Sequence, residues 1–199
     1  MVLGQFVPIV ETCRKIHKVK RGLKMELYVG RPISTEGREE REIAVYDYLD
    51  NLGIEYFRVD HQSAGTMQDC QTVEKVLDNV ICKNLFLCNR QKTKFYLYVT
   101  PSDKPFVTRE FSPKVNSSRL SFGTSEDLER LLNVHPGSVS IMGLIFDKEN
   151  QVQLVIDKEL LNHKDFSCHP CKNTSSIKLR LSDLIERYIP STNHTPLYV

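Results

Sequence analysis

The chain of 199 residues contains no tryptophan and no long apolar run. A helix needs about 20 predominantly apolar residues to span a bilayer, so the sequence predicts no membrane-spanning helix. Residues 1–24 mix apolar and basic side chains, without the continuous apolar stretch and small-residue cleavage site of a signal peptide. A cytoplasmic location, with no membrane partner, is the default expectation.

The common signatures of nucleotide, metal and nucleophile sites are also missing. The sequence has no GxxxxGK[ST] loop, no GxGxxG, no HExxH and no GxSxG. Of the six cysteines, Cys168 and Cys171 have CxxC spacing, but no second pair completes a zinc site. Reduced thiols fit a chain of this length without an export signal better than disulfides do. We therefore expect no metal, no cofactor and no covalent nucleophile.

What the sequence does contain is the composition of a soluble globular protein, 40% hydrophobic and 26% charged. Its net charge of +2 is unevenly distributed, because residues 83–119 carry eight lysines and arginines against two acids. Such a basic segment is compatible with a local anionic partner, for example the end of a tRNA. An ordinary solvated surface explains the charge equally well.

Apolar periodicity predicts helices and short strands mixed along the chain. Helices are predicted at 34–53, 68–77, 125–134 and 182–189, and strands at 55–61, 82–89, 94–100, 138–147, 151–160 and 177–181, with a loop at 162–176. No regular βαβ period is visible, so the predicted fold class is α+β, with a mixed, largely antiparallel sheet and flanking helices. Residues 25–199 are expected to form a single domain, and residues 1–24 an N-terminal extension of unknown role.

Lys83 and Asn84 stand near the start of the apolar segment "ICKNLFLC". A charge in such a run costs free energy unless it has a partner or a function. On a strand, Lys83 would share a face with Leu85 and Leu87, while Cys82 would point the other way. The alternative is that Lys83 only extends its amine to solvent from a sheet edge.

Two further segments place polar groups in irregular backbone. In "HPGSVSIMG", Pro136-Gly137-Ser138 predicts a turn with free N–H groups, and Gly143 would allow a ligand or another backbone to approach closely. In "CHPCKNTSS", the polar residues cluster in a loop after a strand, a common position for binding groups; they are His169, Asn173, Thr174 and Ser175. Taken singly, each segment is also explained by an ordinary turn or a space-filling loop.

Four motifs, "KNLFL", "SSRLSFG", "LNVHPGSVSIMGLIFDKENQVQLVIDKEL" and "HPCKN", follow one another in the order seen in the YbaK-like prolyl-tRNA editing proteins. The chain resembles most the free-standing branch called PrdX or ProXp-ala, over roughly residues 36–188. The resemblance implies an α+β domain that hydrolyses mischarged tRNA(Pro), usually Ala-tRNA(Pro), in trans. Its partners would be the acceptor end of tRNA(Pro) and prolyl-tRNA synthetase.

The family's lysine corresponds to Lys83 and its His-Pro loop to His169-Pro170, so both Lys83 and His169 are expected to be catalytic. Its glycine-serine loop corresponds to Gly137-Ser138-Val139. The expected substrate-binding residues are Asn84, Gly137, Ser138, Val139, Gly143, Asn173, Thr174 and Ser175. Ile141, Met142 and Phe146 are the expected lining of the amino-acid pocket.

The sequence departs from the family pattern at several positions. Phe146 stands where asparagine is common, and no glycine precedes His169 in the segment Phe166-Ser167-Cys168. Two alternatives therefore stay open: deacylation of another aminoacyl-tRNA, such as Cys- or Ser-tRNA, and non-catalytic binding of aminoacyl-tRNA or a synthetase. For the hydrolase, the expected mechanism is attack of a positioned water on the ester, with backbone N–H groups stabilising the oxyanion.

Overall fold

The computed structural model describes residues 15–16, 25–63 and 67–199. The described part contains ten strands: β1 Lys15–Ile16, β2 Leu27–Val29, β3 Tyr56–Asp60, β4 Lys83–Asn89, β5 Phe95–Thr100, β6 Leu120–Phe122, β7 Val152–Ile156, β8 Asp165–Cys168, β9 Ser175–Arg180 and β10 Leu197–Tyr198. The first sheet has the order β1-β2-β3-β9-β8 and is antiparallel throughout. In the second sheet, β10-β7-β5-β4-β6, the pairs β5–β7 and β7–β10 are parallel. The predicted α+β class with mixed, largely antiparallel pairing is confirmed.

Helices flank both sheets: α1 Glu40–Asn51, α2 Met67–Leu77, α3 Thr108–Phe111, α4 Ser125–Leu132, and a final helical segment made of α5 Leu181–Asp183, the π-helical Leu184–Tyr188 and α6 Ile189–Ser191. Helix α4 begins with a cap formed by its own sequence. Thr124 accepts a hydrogen bond from Asp127 N–H, and the Asp127 side chain accepts one in return from Thr124 N–H. Residues within the described part offer no helix with the length and apolarity that a bilayer crossing requires.

Two local predictions are wrong. The apolar run 138–147 is not a strand; it forms a 3₁₀ helix at Ile141–Ile145, and the Ser140 hydroxyl accepts a hydrogen bond from Met142 N–H at its start. A short run that is apolar throughout has the same pattern in a buried strand and a buried helix. The predicted loop 162–176 contains β8, whose partner β9 lies later in the chain.

Strand β4 presents different residues to two apolar clusters. Phe86 and Cys88 belong to the main core, together with residues of α1, α4, the 3₁₀ helix and both sheets. Leu85 and Leu87 face a second cluster on the other side of the sheet, which includes Tyr98 and Phe111. By this alternation, Lys83 lies on the Leu85 face, and Cys82, which packs against the main core, lies on the other.

The predicted N-terminal extension, residues 1–24, lies outside the described residues except for Lys15–Ile16. These two residues form β1 and pair with Tyr28 and Leu27 of β2. The pairing places them at the edge of the first sheet.

Candidate active site

An open cleft with a volume of about 570 Å³ brings three of the four sequence motifs together. It is lined by Asn84, Leu85, Phe86, Phe122, Gly123, Thr124, Ser125, Glu126, Leu128, Pro136, Gly137 and Val139. The lining residues come from the start of β4, from the end of β6 with the first turn of α4, and from the loop before the 3₁₀ helix. The volume of the cleft is in the range of small-molecule sites, about 300–1,000 Å³.

The cleft forms where strand β4 is left uncovered. Strand β6 pairs only with Leu87–Asn89 of β4, and the last contact is a hydrogen bond of 3.0 Å from Gly123 N–H to the Phe86 carbonyl. Asn84, beyond this point, accepts a hydrogen bond of 2.9 Å from Ile141 N–H and donates one to the Cys82 carbonyl. The Asn84 amide therefore joins the strand to the loop that follows the Pro-Gly turn.

Lys83 borders the cleft, although it is not one of the residues that line it. Its Nζ donates a hydrogen bond of 2.8 Å to the Lys104 carbonyl, and the residue is half-buried. An ammonium group has three donors, so this bond leaves two for other acceptors. Its neighbours Asn84 and Leu85 both line the cleft.

The nearby Lys104 amine is neutralised by carboxylates. Its Nζ contacts Asp157 Oδ2 at 2.8 Å and Glu159 Oε1 at 2.7 Å, and hydrogen bonding to these two groups raises the pKa of Lys104. Lys83 donates to a neutral carbonyl instead. Of the two amines, that of Lys83 is the better suited to hold an anionic group of a ligand.

The Pro-Gly-Ser turn lies beside the His-Pro loop. Gly137 has φ +83°, a conformation that side chains with a Cβ rarely adopt. A Cβ at Gly137 would be 3.8 Å from the Asn173 amide nitrogen, which in turn donates to Ser63 Oγ at 2.9 Å. Ser138 N–H closes the turn on the His135 carbonyl at 3.0 Å. The turn and the loop were predicted separately, and the fold places them next to each other.

His169 is held in one tautomer by its surroundings. Its Nδ1 lies 2.8 Å from the Ser175 carbonyl, which can only accept, so Nδ1 carries the proton and Nε2 the lone pair. Burial lowers the pKa of His169, which keeps the ring neutral at neutral pH. Ser176 Oγ lies 3.2 Å from His169 Nδ1 and 2.9 Å from His61 Nε2, so it bridges the two rings.

Thr174 and Ser175 hold this loop in place through hydrogen bonds to the strand and helix beneath it. The Thr174 carbonyl accepts a hydrogen bond from His61 N–H at 2.9 Å. Ser175 is fully buried, and its Oγ lies 2.9 Å from Tyr46 Oη and 3.2 Å from Asp60 Oδ1. Asp60 is fixed in turn by both terminal nitrogens of Arg38. Contacts of this kind position the loop from the interior.

The residues expected to line the amino-acid pocket lie elsewhere. Ile141 and Met142 are fully buried in the main core, and Phe146 packs against that core. Gly143 is also buried; a Cβ there would lie 3.1 Å from the Leu132 carbonyl at the end of α4. The sequence suggested that Gly143 allows either a ligand or another backbone to approach closely. In the structure it is the backbone of Leu132 that lies close to Gly143.

Several residues that line the cleft were not among the predicted site residues. Phe122 and Gly123 end the motif "SSRLSFG", which was the available signal for them. Leu128 was assigned only to a helix, and its apolar spacing indicates burial without indicating a cleft. Its position became informative only when α4 was placed opposite β4.

The cysteines of the site have raised pKa values. Burial raises the pKa of Cys82 to about 12 and raises the pKa of the Cys168 and Cys171 thiols as well. All three are free thiols, as is Cys88. A protonated thiol is a poor nucleophile and a poor metal ligand. Across the described ranges, no group of three His, Cys, Asp or Glu side chains is arranged to hold a metal ion.

Comparison with known proteins finds similar chains and a similar fold. The prolyl-tRNA editing protein ProX of Acetoanaerobium sticklandii is 29% identical over 152 residues, 76% of this chain and 92% of the relative. Prolyl-tRNA synthetase associated domain-containing protein 1 of Danio rerio is 29% identical over 153 residues, 76% of this chain and 82% of the relative. A solved structure described as a candidate trans-editing enzyme for prolyl tRNA synthetase has the same fold, with a TM-score of 0.60 at 12% identity over 80% of this chain and 96% of its own.

The family model of the aminoacyl-tRNA editing domain matches residues 61–186. This range includes the start of β4, the end of β6 and the Pro-Gly-Ser turn, which line the cleft, and the His-Pro loop, whose Asn173 lies next to Gly137. The chain belongs to the aminoacyl-tRNA editing domain family, and it is an aminoacyl-tRNA deacylase whose substrate is a charged tRNA.

Proposed function

We propose that this deacylase acts in trans in the cytoplasm on tRNA(Pro) that carries the wrong amino acid, and that Ala-tRNA(Pro) is its principal substrate. The observation that carries the proposal is the meeting of Asn84, Gly123 and Gly137 in the lining of one cleft, with Asn173 of the His169 loop next to Gly137. The names of the similar proteins support the choice of tRNA(Pro), since they refer to prolyl-tRNA editing or to prolyl-tRNA synthetase.

In the proposed reaction, water attacks the ester carbonyl between the amino acid and the terminal ribose. The ester is already activated, so positioning the water and stabilising the oxyanion supply the required rate enhancement. A cysteine nucleophile is disfavoured because burial keeps the Cys82, Cys168 and Cys171 thiols protonated. The ribose hydroxyl next to the ester would assist in activating the water.

Backbone N–H groups of the Pro-Gly-Ser turn are the proposed oxyanion donors. Ser138 N–H already donates to the His135 carbonyl, so the role falls to the N–H groups of Gly137 and Val139, both of which line the cleft. Lys83 Nζ, with two donors left, would hold the terminal phosphate or polarise the ester. His169 would accept a hydrogen bond at Nε2, because its Nδ1 is already committed to Ser175.

Selection of the amino acid would be by size. The apolar lining of the cleft includes Phe86, Leu128 and Val139. A methyl group fits against such a wall more readily than a pyrrolidine ring, and excluding a bulkier side chain is sterically easier than rejecting a smaller one. This arrangement would spare Pro-tRNA(Pro), the correct product. Prolyl-tRNA synthetase is the proposed source of the substrate and a proposed partner.

A substrate panel tests the proposal directly. Purified protein is incubated with Ala-, Cys-, Ser- and Pro-tRNA(Pro), and with Ala-tRNA(Ala), and release of the amino acid is followed. The same panel is repeated with Lys83→Ala and with a control, Lys148→Ala, an exposed lysine at the opposite end of the second sheet. We expect fastest release from Ala-tRNA(Pro), a loss of about 10²–10³ in rate for Lys83→Ala, and no change for the control.

Each alternative outcome has a distinct meaning. Preferential release of cysteine or serine would keep the deacylase and replace its substrate. Binding of Ala-tRNA(Pro) without any release would favour a non-catalytic binder. Undiminished release by Lys83→Ala would remove Lys83 from the mechanism.

A further inference from the structure

An exposed aromatic ring at the edge of the cleft has no role in the reaction proposed above. Phe122 is 60% exposed, although Leu120 on the same strand is buried. Isolated exposed apolar residues are common on protein surfaces. Phe122 differs because its side chain lines the cleft together with Asn84 and Gly137.

The backbone of Phe122 is fixed at a defined place on the second sheet. Phe122 pairs with Leu87 of β4, and the next residue, Gly123, donates a hydrogen bond to the Phe86 carbonyl. A Cβ at Gly123 would lie 2.4 Å from the Phe86 ring, so only glycine allows the end of β6 to approach β4 this closely. The position of Phe122 is therefore set by contacts on both sides of it.

The ring itself is supported by an edge contact. The ring of Phe106 lies 6.0 Å from that of Phe122, at an interplanar angle of 62°. Phe106 also packs on Tyr98 and Phe111 of the second apolar cluster. An edge-on contact of this type holds a ring without stacking on it. With 60% of the residue exposed, a ring surface is available to a ligand in the cleft.

Basic residues lie on two elements that contact strand β6, namely β4 and α3. Lys83 lies on the same face of β4 as Leu85, which lines the cleft with Phe122. Arg109 is exposed on α3, three residues after Phe106. An exposed ring beside basic side chains is the combination by which proteins bind single-stranded nucleic acid, with stacking for the base and cations for the phosphates.

We propose that Phe122 is the stacking platform for the unpaired terminal base of the tRNA acceptor end. This inference rests on the proposed function, since it names how the substrate of that site is held. A nucleoside with its aminoacyl ester suits a cleft of about 570 Å³. With the base on Phe122, the ester is directed to the other lining residues, Asn84 and Gly137, where the reaction is proposed.

Intrinsic fluorescence tests the proposal without requiring turnover. The chain has no tryptophan, so Phe122→Trp introduces a single indole at the platform. This variant is titrated with an RNA acceptor hairpin that carries alanine through a non-hydrolysable amide, and with the same hairpin lacking the terminal base. The control variant is Ile33→Trp, at an exposed position that is not part of the cleft lining. We expect quenching of the indole at position 122 only, with binding about tenfold weaker without the base.

Kinetics supply the second measurement. Phe122→Leu keeps an apolar side chain but removes the π-face, whereas Phe122→Tyr keeps the ring. We expect Phe122→Leu to raise KM about tenfold with little change in kcat, and Phe122→Tyr to behave like the wild type. On the hairpin lacking the terminal base, the difference between leucine and phenylalanine should disappear.

The outcomes separate this inference from the proposed function. If the wild type hydrolyses the substrate and Phe122→Leu does so with the same KM, the stacking role is wrong while the function stands. If the wild type releases no amino acid, the function fails, and the fluorescence titration still decides whether the base stacks. Equal quenching with both hairpins, or an effect of Phe122→Leu on synthetase binding alone, would overturn the inference.

Discussion

At the scale of single residues, Asn84 shows how one side chain connects distant parts of the chain. Its carbonyl oxygen accepts from Ile141 N–H, 57 positions away, and its amide nitrogen donates to the Cys82 carbonyl two residues before it. An amide can make both bonds at once, and an apolar residue of the same size can make neither. This connection ties strand β4 to the backbone two residues after Val139, which lines the cleft.

Val139→Ala should relax the size selection of the deacylase. Val139 lines the cleft and is half-buried, so its truncation enlarges the proposed amino-acid pocket by two methyl groups. We expect kcat/KM for Pro-tRNA(Pro) relative to Ala-tRNA(Pro) to rise about tenfold, the size of effect that a methylene group produces in an apolar pocket. The measurement is competitive deacylation of the two substrates. Val80→Ala, at an exposed position not lining the cleft, should leave the ratio unchanged.

His169 should make the folded state sensitive to mild acid. Burial lowers its pKa in the folded state below the ordinary value of about 6.5, so the unfolded chain takes up a proton at higher pH than the folded one. The contribution of His169 to stability is therefore complete above about pH 6.5 and is lost as the pH falls towards the lowered pKa.

Urea unfolding at a series of pH values between 5 and 8 measures this effect. We expect the free energy of unfolding of His169→Gln to fall less steeply below about pH 6.5 than that of the wild type. His163→Gln, at an exposed position, is the control and should follow the wild-type slope. Parallel curves for His169→Gln and the wild type would contradict the lowered pKa.

At the scale of elements, the uncovered start of β4 creates the cleft. Strand β6 is only three residues long and ends at Phe122, so it leaves Lys83 to Leu85 without a neighbouring strand on that side. The chain then turns into α4, which begins at the Thr124 cap. A longer β6 would close the space that the cleft occupies.

Gly123→Ala should disturb this junction. The added methyl group would lie 2.4 Å from the Phe86 ring, which is buried and stacked on Phe95, so the ring has little room to move. Overpacking of this kind costs about 1–3 kcal/mol of stability. We expect a lower free energy of unfolding in urea and a lower kcat/KM, because the end of β6 must shift. Ser118→Ala, exposed just before the same strand, should change neither quantity.

At the scale of the whole molecule, the site lies at the junction of the two sheets. Cys82 N–H, at the start of β4, donates a hydrogen bond of 2.9 Å to the Ser167 carbonyl in β8. The Lys83 segment thus belongs to one sheet and the His169 loop to the other. Their relative position depends on the main core, to which both sheets contribute.

The excess of basic residues in segment 83–119 predicts that KM for tRNA depends on the salt concentration. Arg109 is exposed on α3, a helix that contacts strand β6, and contacts between cations and phosphates weaken as salt rises through counterion release. We expect KM for tRNA to rise with salt, and Arg109→Glu to raise KM at low salt while reducing the slope of log KM against log salt by about one. Lys148→Glu makes the same charge change at the far end of the sheet and should leave the slope unaltered. An equal effect of both variants would indicate a general charge effect without a local contact.

The sequence by itself determined the features that are encoded locally. The Thr124–Asp127 cap, the helix that ends before Gly53 and the hairpin of β4 and β5 follow from neighbouring residues, and all three are present. The ordered motifs also sufficed to indicate the family. The apolar run 141–145 was assigned to the wrong element, because its burial, which the sequence does indicate, is common to strands and helices.

Only the tertiary structure decided which residues share the cleft. The partner of Lys83 is a carbonyl 21 residues away, and the wall opposite Asn84 comes from α4 and from the turn before Ile141. Such contacts depend on how the elements pack, and a side-chain pattern does not encode that packing. Ile141 and Met142 were placed in the pocket by their position in the motif, whereas the turn of the 3₁₀ helix directs them into the core.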